Sequence, residues 1–164
     1  MSTQPPSLDD FDHRLLELLQ RDADLTLTEL GDNVGLSASA VQRRIKRYRE
    51  SGLMRRVAVL NPALLGNITL ATVVVAMDRE SSRIHAALHA RLRAAPEVQQ
   101  CYVLAGEWDY LVILATSGIA HCREVAERLF AGDGNLKRYE TRVVFEPVKL
   151  GLTLPTRPPG RRKK

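Results

Sequence analysis

The amino-acid sequence predicts an α+β chain of two domains: an N-terminal three-helix helix-turn-helix unit with a wing, then a C-terminal ferredoxin-like βαββαβ unit. Three observations predict it. Residues 9–52 carry three apolar repeats of helical period, each opened by a capping residue. From residue 68 onward, runs rich in Val, Ile and Thr alternate with helical repeats in the order β-α-β-β-α-β. Between these regions, Asn61-Pro62-Ala63-Leu64-Leu65-Gly66-Asn67 interrupts both periods. The expected division is 8–60 for the helical domain, 61–67 for a partly packed linker, 68–155 for the sheet domain and 156–164 for a basic disordered tail. The first few residues, with two prolines, are also expected to be disordered.

In the first helix Asp9 is the expected N-cap, with Phe11, Leu15, Leu18 and Leu19 on the buried face and an end near Asp22. The second opens with Thr26-Leu27-Thr28-Glu29, which fits a capping box, buries Leu27, Leu30 and Val34, and stops at Gly35. Gly31 gives a small residue where two helices approach closely. The third helix starts two residues after Gly35, at the N-cap Ser37, and this tight join is the helix-turn-helix arrangement. Leu36 and Val41 occupy staple positions, while Val41, Ile45 and Tyr48 form the inward stripe. Gly52 is the expected left-handed stop, with Leu53 folding back on Tyr48. Residues 54–60 alternate enough for a short strand, the wing.

Charge sharpens the reading of the third helix. The net charge of +5 resides in the tail: residues 1–60 hold nine basic and nine acidic side chains, 61–156 hold ten of each, and 157–164 hold five basic and no acidic ones. Inside residues 1–60 the signs are segregated, with eight of the nine acids before Ser37. Opposite the Val41–Ile45–Tyr48 stripe, Ser39, Gln42, Arg43, Lys46 and Arg47 project outward. Donors of this kind suit the major groove of double-stranded DNA. Ser37, Ser39, Gln42 and Arg43 near the helix start are expected at base edges or beside them, and Lys46, Arg47, Arg55 and Arg56 at phosphates.

In the second domain, residues 68–77 read as a strand, and Ser82 opens a helix burying Ile84, Ala87, Leu88, Leu92 and Ala95, closed by Pro96. Residues 98–104 and 110–115 are strands around an Ala105-Gly106-Glu107-Trp108-Asp109 turn. Ser117 opens a helix burying Ile119, Cys122, Val125, Ala126, Leu129 and Phe130, and residues 137–145 are a strand with Tyr139, Thr141, Val143 and Phe145 on one face. Both helices cover one side of the sheet. The open side, expected to carry Val, Tyr and Phe, is the expected dimer interface, and a dimer supplies the two-fold symmetry that half-sites in DNA require.

Several classes are disfavoured. The longest apolar run, near residues 70–77, is too short to span a bilayer, and the N-terminus lacks the regions of a signal peptide, so a cytoplasmic protein without membrane association is expected. Two cysteines make no disulfide framework or zinc site, and both read as buried thiols. His85 and His89 stand at i, i+4, a spacing that can bind zinc, but read as solvent-facing with no third ligand. His121 and Cys122 diverge on their helix. No nucleophile–base constellation, phosphate loop or carboxylate cluster indicates an enzyme, so neither a catalytic residue nor a cofactor is expected.

The stretches LDDFDHRLLELLQRDADLTLTELGDNVGLSASAVQRRIKRYRESGLM, VAVLNPALLG and VLAGEWDYLVIL, with a strand ending FEPVKL, resemble the Lrp/AsnC family of bacterial and archaeal transcription regulators over about residues 8–155. The resemblance implies a DNA-binding helix-turn-helix and a C-terminal sensing domain that dimerises through its sheets and assembles to tetramers or octamers. It also implies an amino acid or related metabolite bound between subunits. Carried over, Gly106 offers its backbone and Asp109 its carboxylate to that effector, Leu104, Ala105, Trp108 and Tyr110 wall the pocket, and Thr141 comes from a neighbouring subunit. The chain departs from the family's pattern at Ala105, often Thr, at Trp108, commonly small or polar, at Tyr48, usually Leu, and at Gly31, usually Ala. Two alternatives stand beside the regulator reading: an enzyme like the sirohaem decarboxylases, which share this architecture, and a metabolite-binding module without a DNA role.

Overall fold

A computed structural model describes residues 7–78 and 81–157. The chain divides into two compact units, one from Met1–Val59 together with Leu150–Lys164, the other Leu60–Lys149. The expected disorder of the first residues, and that of the tail from residue 158 on, lies outside the described residues.

The first unit packs α1 (Asp10–Arg21), α2 (Leu27–Val34) and α3 (Ala38–Glu50) around Leu15, Leu19, Leu30, Val34, Val41, Ile45 and Tyr48. The caps are those the sequence announces. Asp9 and Asp12 exchange reciprocal bonds, as do Thr26 and Glu29, and Ser37 accepts from the Ala40 N–H. Gly35 ends α2 at φ 80° and its N–H donates to the Gly31 carbonyl. A Cβ on Gly31 would lie 2.4 Å from the Leu36 carbonyl oxygen, so the tight α2–α3 join needs glycine there, more strictly than a merely small residue. Gly52 takes φ 73° after α3. Beyond it Met54, rather than Leu53, returns to the core: its N–H bonds the Tyr48 carbonyl and its side chain packs on the cluster, while Leu53 stays exposed.

Other expectations for this unit change. Phe11 is exposed and Asp12 takes the buried position on α1, because Asp12 meets donors from α3 whereas Phe11 lies at the rim under Arg44. No strand forms over residues 54–60: among the described residues none pairs with them as a strand partner. Residues 150–157, expected partly in the sheet domain and partly in the tail, instead belong with α1. The Gln20 side chain donates to the Leu154 carbonyl at 3.0 Å and accepts its N–H at 2.7 Å, as a strand partner would. Thr156 donates to Glu17, and Arg157 pairs with Asp10 at 3.3 Å.

The second unit begins with a 3-10 turn, Pro62–Leu64, capped by Asn61. Leu64 and Leu65 are uncovered, contrary to the expectation of a packed linker. Then follow β1 (Thr69–Met77), α4 (Ser82–Ala94), β2 (Val98–Val103), β3 (Tyr110–Thr116), α5 (Ile119–Phe130) and β4 (Leu136–Val143). All pairings are antiparallel, in the order β2-β3-β1-β4, the split βαβ topology expected. Ala71, Val73, Val75, Tyr110, Val112 and Leu114 face Leu88, Leu92, Cys122, Val125, Leu129 and Phe130 of the helices.

Register decides which side each residue takes. Tyr139, Thr141 and Val143 pair with Val75, Val73 and Ala71, so they lie on the helix side, and Tyr139 stacks 5.4 Å from Phe130. The open side instead carries Leu70, Thr72, Val74, Leu111, Ile113 and Ala115 in the middle, with Arg138, Glu140 and Arg142 along β4. Phe145 lies past the end of β4, fully exposed.

The N-caps shift by one residue where two candidates adjoin: Ser81 caps α4, and Gly118, at φ 91°, precedes α5 without a side-chain bond. Ser117 is occupied elsewhere, its hydroxyl and N–H both on His121 Nδ1. Ile119 and Ala87, expected inside, are exposed, as is Cys101 on the edge strand β2.

Candidate DNA-contact face and effector turn

The third helix is held from behind by one buried carboxylate. Asp12 is 1% exposed and accepts from Arg44 Nη1 at 2.6 Å, from Arg47 Nη2 at 2.7 Å to both oxygens, and from the Tyr48 hydroxyl. Arg44 also reaches Asp9. A buried carboxylate is costly unless charged and neutral donors surround it, and here they come from consecutive turns of one helix. Burial acts to raise the Asp12 pKa, but the bonds from Tyr48, the Asp9 N–H and Arg44 outweigh it and hold the carboxyl far below its ordinary range. Burial, then the bond to Asp12, push the Tyr48 phenol up, which leaves it a donor.

This anchoring divides the cations of α3. Arg44 and Arg47 turn back onto α1, whereas Gln42, Arg43 and Lys46 are exposed on the outer side. Lys46 keeps only a 3.7 Å approach to Glu50, its side chain 73% exposed. Ser39 is exposed with its hydroxyl 3.1 Å from that of Ser37, whose main work is the cap. Arg55 and Arg56 are exposed on the irregular segment after α3, Arg56 within 3.7 Å of Asp24. Periodicity and charge alone do not single out Asp12, although its place three residues after Asp9 in a capping box is a visible signal.

The other candidate lies at the β2–β3 connection. Val103 pairs with Tyr110, the Leu104 N–H bonds the Asp109 carbonyl at 2.8 Å, and Gly106 turns the chain at φ 135°, a value that favours glycine. Leu104, Ala105, Gly106 and Glu107 are exposed and Trp108 is half-buried. Asp109 ties this turn to β1: its N–H donates to the Val75 carbonyl at 2.9 Å and its Oδ2 accepts the Met77 N–H at 2.7 Å. One carboxylate oxygen is thus engaged inside the chain. Trp108 lies beneath Arg138, whose guanidinium is 4.4 Å from the ring centroid and also pairs with Glu107.

Tyr110 and Thr141 do not gather at the turn within one chain. Tyr110 is fully buried and faces α4, its hydroxyl in contact with His85 and His89, which therefore point inward rather than to solvent. Thr141 pairs with Val73 on β4, two residues along β1 from Val75, and is exposed. Arg138, which no sequence motif marks, is the β4 residue that reaches the turn.

Residues 8–49 match the model of the AsnC-type helix-turn-helix domain, and residues 70–154 match that of the Lrp/AsnC ligand binding domain. The chain belongs to the Lrp/AsnC family. It is 32% identical over 149 residues to a proline dehydrogenase transcriptional activator of Rhizobium radiobacter, covering 90% of this chain and 96% of that protein. Among solved structures, an AsnC family transcriptional regulator from Agrobacterium tumefaciens superposes with a TM-score of 0.80 at 28% identity, covering 90% of this chain and 97% of that one. A transcriptional regulator of Neisseria meningitidis in complex with L-Met superposes at 0.79 with 27% identity, covering 91% and 97%. This family member is accordingly a DNA-binding transcriptional regulator with a small-molecule-binding domain. Among the described residues no helix is long and apolar enough to cross a membrane.

Proposed function

We propose that the regulator acts in the cytoplasm as a homodimer, assembled further to a tetramer or octamer, inserts α3 into the major groove, and responds to an amino acid bound between sheet domains. The observation that carries the DNA part is the division of α3, with Gln42, Arg43 and Lys46 exposed outward while Arg44 and Arg47 are held on Asp12. Ser39, Gln42 and Arg43 read base edges, and Lys46, Arg55 and Arg56 contact phosphates. Arg47 acts chiefly as an anchor. Arg43→Ala costs about 1–3 kcal/mol of DNA affinity and relaxes specificity, whereas Lys46→Ala weakens all sequences alike. Equal effects from the two in a binding assay across matched and mismatched sites would overturn these roles.

The apolar middle of the open face, Leu70, Val74, Leu111 and Ile113, supports sheet-to-sheet pairing of two copies. The effector binds at the 104–109 turn, where backbone groups of Ala105 and Gly106, the ring of Trp108 and the free edge of Asp109 are within reach, with Leu104 beside them and Thr141 supplied by a second subunit. The relative solved with L-Met supports an amino acid as the class. Asp109→Asn keeps an oxygen for the Met77 N–H but removes the charge. A thermal-shift screen of free amino acids should show a ligand for the unaltered chain and none for Asp109→Asn. A retained shift in that variant would remove Asp109 from the site.

A further inference from the structure

We propose that His85, His89 and Tyr110 form a binding site for a late divalent transition-metal ion, Zn2+ or Cu2+. The two histidines lie one helical turn apart on α4, so their rings leave the helix on the same side. Both are half-buried and both aim at one atom. The Tyr110 hydroxyl is in contact with His85 Nδ1 and lies 3.1 Å from His89 Nε2, and its own side chain is fully buried at the start of β3. The rings stand 5.8 Å and 5.6 Å from the tyrosine and 6.4 Å from each other, centroid to centroid.

Three donor atoms converge, from a rigid helix and a central strand. Imidazole nitrogens ligate zinc at about 2.0–2.1 Å, which puts neighbouring donors in a tetrahedral shell about 3.3 Å apart, close to the His89–Tyr110 separation, whereas the closer His85–Tyr110 contact has to open for an ion to enter. Among the described residues no three His, Cys, Asp or Glu side chains converge, and the third donor here is a phenol, outside that usual set of ligands. A phenol has a single proton to give, so in these two contacts it can donate to only one of the imidazoles. An ion replaces that arrangement: both neutral imidazoles turn lone pairs to it, the phenol proton leaves to solvent, and the phenolate becomes the third ligand. The half-buried histidines leave an approach from solvent, and a fourth position remains for water. Imidazole donors suit Zn2+ and Cu2+ in preference to Mg2+ or Ca2+. Since Tyr110 follows Asp109, the ion would fasten the base of the 104–109 turn to α4.

The test uses the full chain. Equilibrium dialysis against Zn2+ should give one ion per chain, with at least about 10- to 100-fold weaker binding in His85→Ala and in His89→Ala. Titration with Cu2+ should produce a phenolate-to-copper charge-transfer band that is absent in Tyr110→Phe. If Tyr110→Phe fails to fold by circular dichroism, the band in the unaltered chain and its loss in His89→Ala, a half-exposed helical position, still decide the matter. No stoichiometric ion, undiminished binding in the His85→Ala/His89→Ala double variant, or a copper complex without the band while Tyr110 is intact would each overturn the site.

Discussion

The outer face of α3 and the turn at 104–109 are built on the same plan with opposite consequences. Each rests on one aspartate that binds a distant element: Asp12 gathers Arg44, Arg47 and Tyr48, and Asp109 takes the Met77 N–H. At α3 the aspartate is wholly buried and neutralised by cations, so it ties Arg44 and the half-exposed Arg47 to α1 and leaves Arg43 and Lys46 exposed without a bond to it. At the turn the aspartate is half-buried and bonded to neutral backbone, so it retains acceptor capacity for a ligand. The difference teaches that a charged residue on such a face is an anchor where its partner inside the chain is a buried charge, as at Asp12, and stays available where the partner is neutral backbone or an exposed charge, as for Lys46 and Arg56.

Removing the two anchors should therefore destabilise the chain unequally. Asp12→Ala leaves two arginines and a phenol without their acceptor and should lower the stability of the helical unit by about 3 kcal/mol, read as a drop in the denaturant midpoint. The value falls at the lower end for such changes because Arg47 can turn to water. Asp109→Ala removes one acceptor from a backbone N–H and should cost about 1–2 kcal/mol. Effects of the same size would erase the distinction between them.

Acid offers a second test. The folded carboxyl of Asp12 lies below its ordinary value of 3.8, so the unfolded chain takes up a proton first as pH falls. Its stabilisation is complete above about pH 4 and is lost progressively below it, toward the folded value. Asp12→Asn should be less stable at neutral pH and should lose less on going from pH 5 to pH 3. Parallel stability curves for the two proteins would place the acid-sensitive group elsewhere.

What the sequence discloses follows the same logic of distance. The caps at Asp9, Thr26 and Ser37 involve partners three residues away, and the order of strands and helices follows from local periods, so both are legible. The Asp12 cluster joins residues 32–36 apart, the Asp109 bond spans 32 and the Gln20–Leu154 pairing spans 134, and no local pattern announces them. Tyr139 shows a related failure. Its alternation with Thr141 and Val143 is plain, but only the register against Val75 and Val73 tells which side of the sheet that face takes. The inward turn of His85 and His89 likewise depends on where Tyr110 arrives from β3.

The central claim, that Asp12 sorts the cations of α3 into anchors and contacts, is tested most directly by the salt dependence of DNA affinity in Lys46→Ala and Arg47→Ala. Removing a cation that touches one phosphate should make the slope of log affinity against log salt shallower by about one. The account predicts that change for Lys46→Ala, and for Arg47→Ala a slope near that of the unaltered chain with reduced stability. A slope made as shallow by Arg47→Ala as by Lys46→Ala would contradict it.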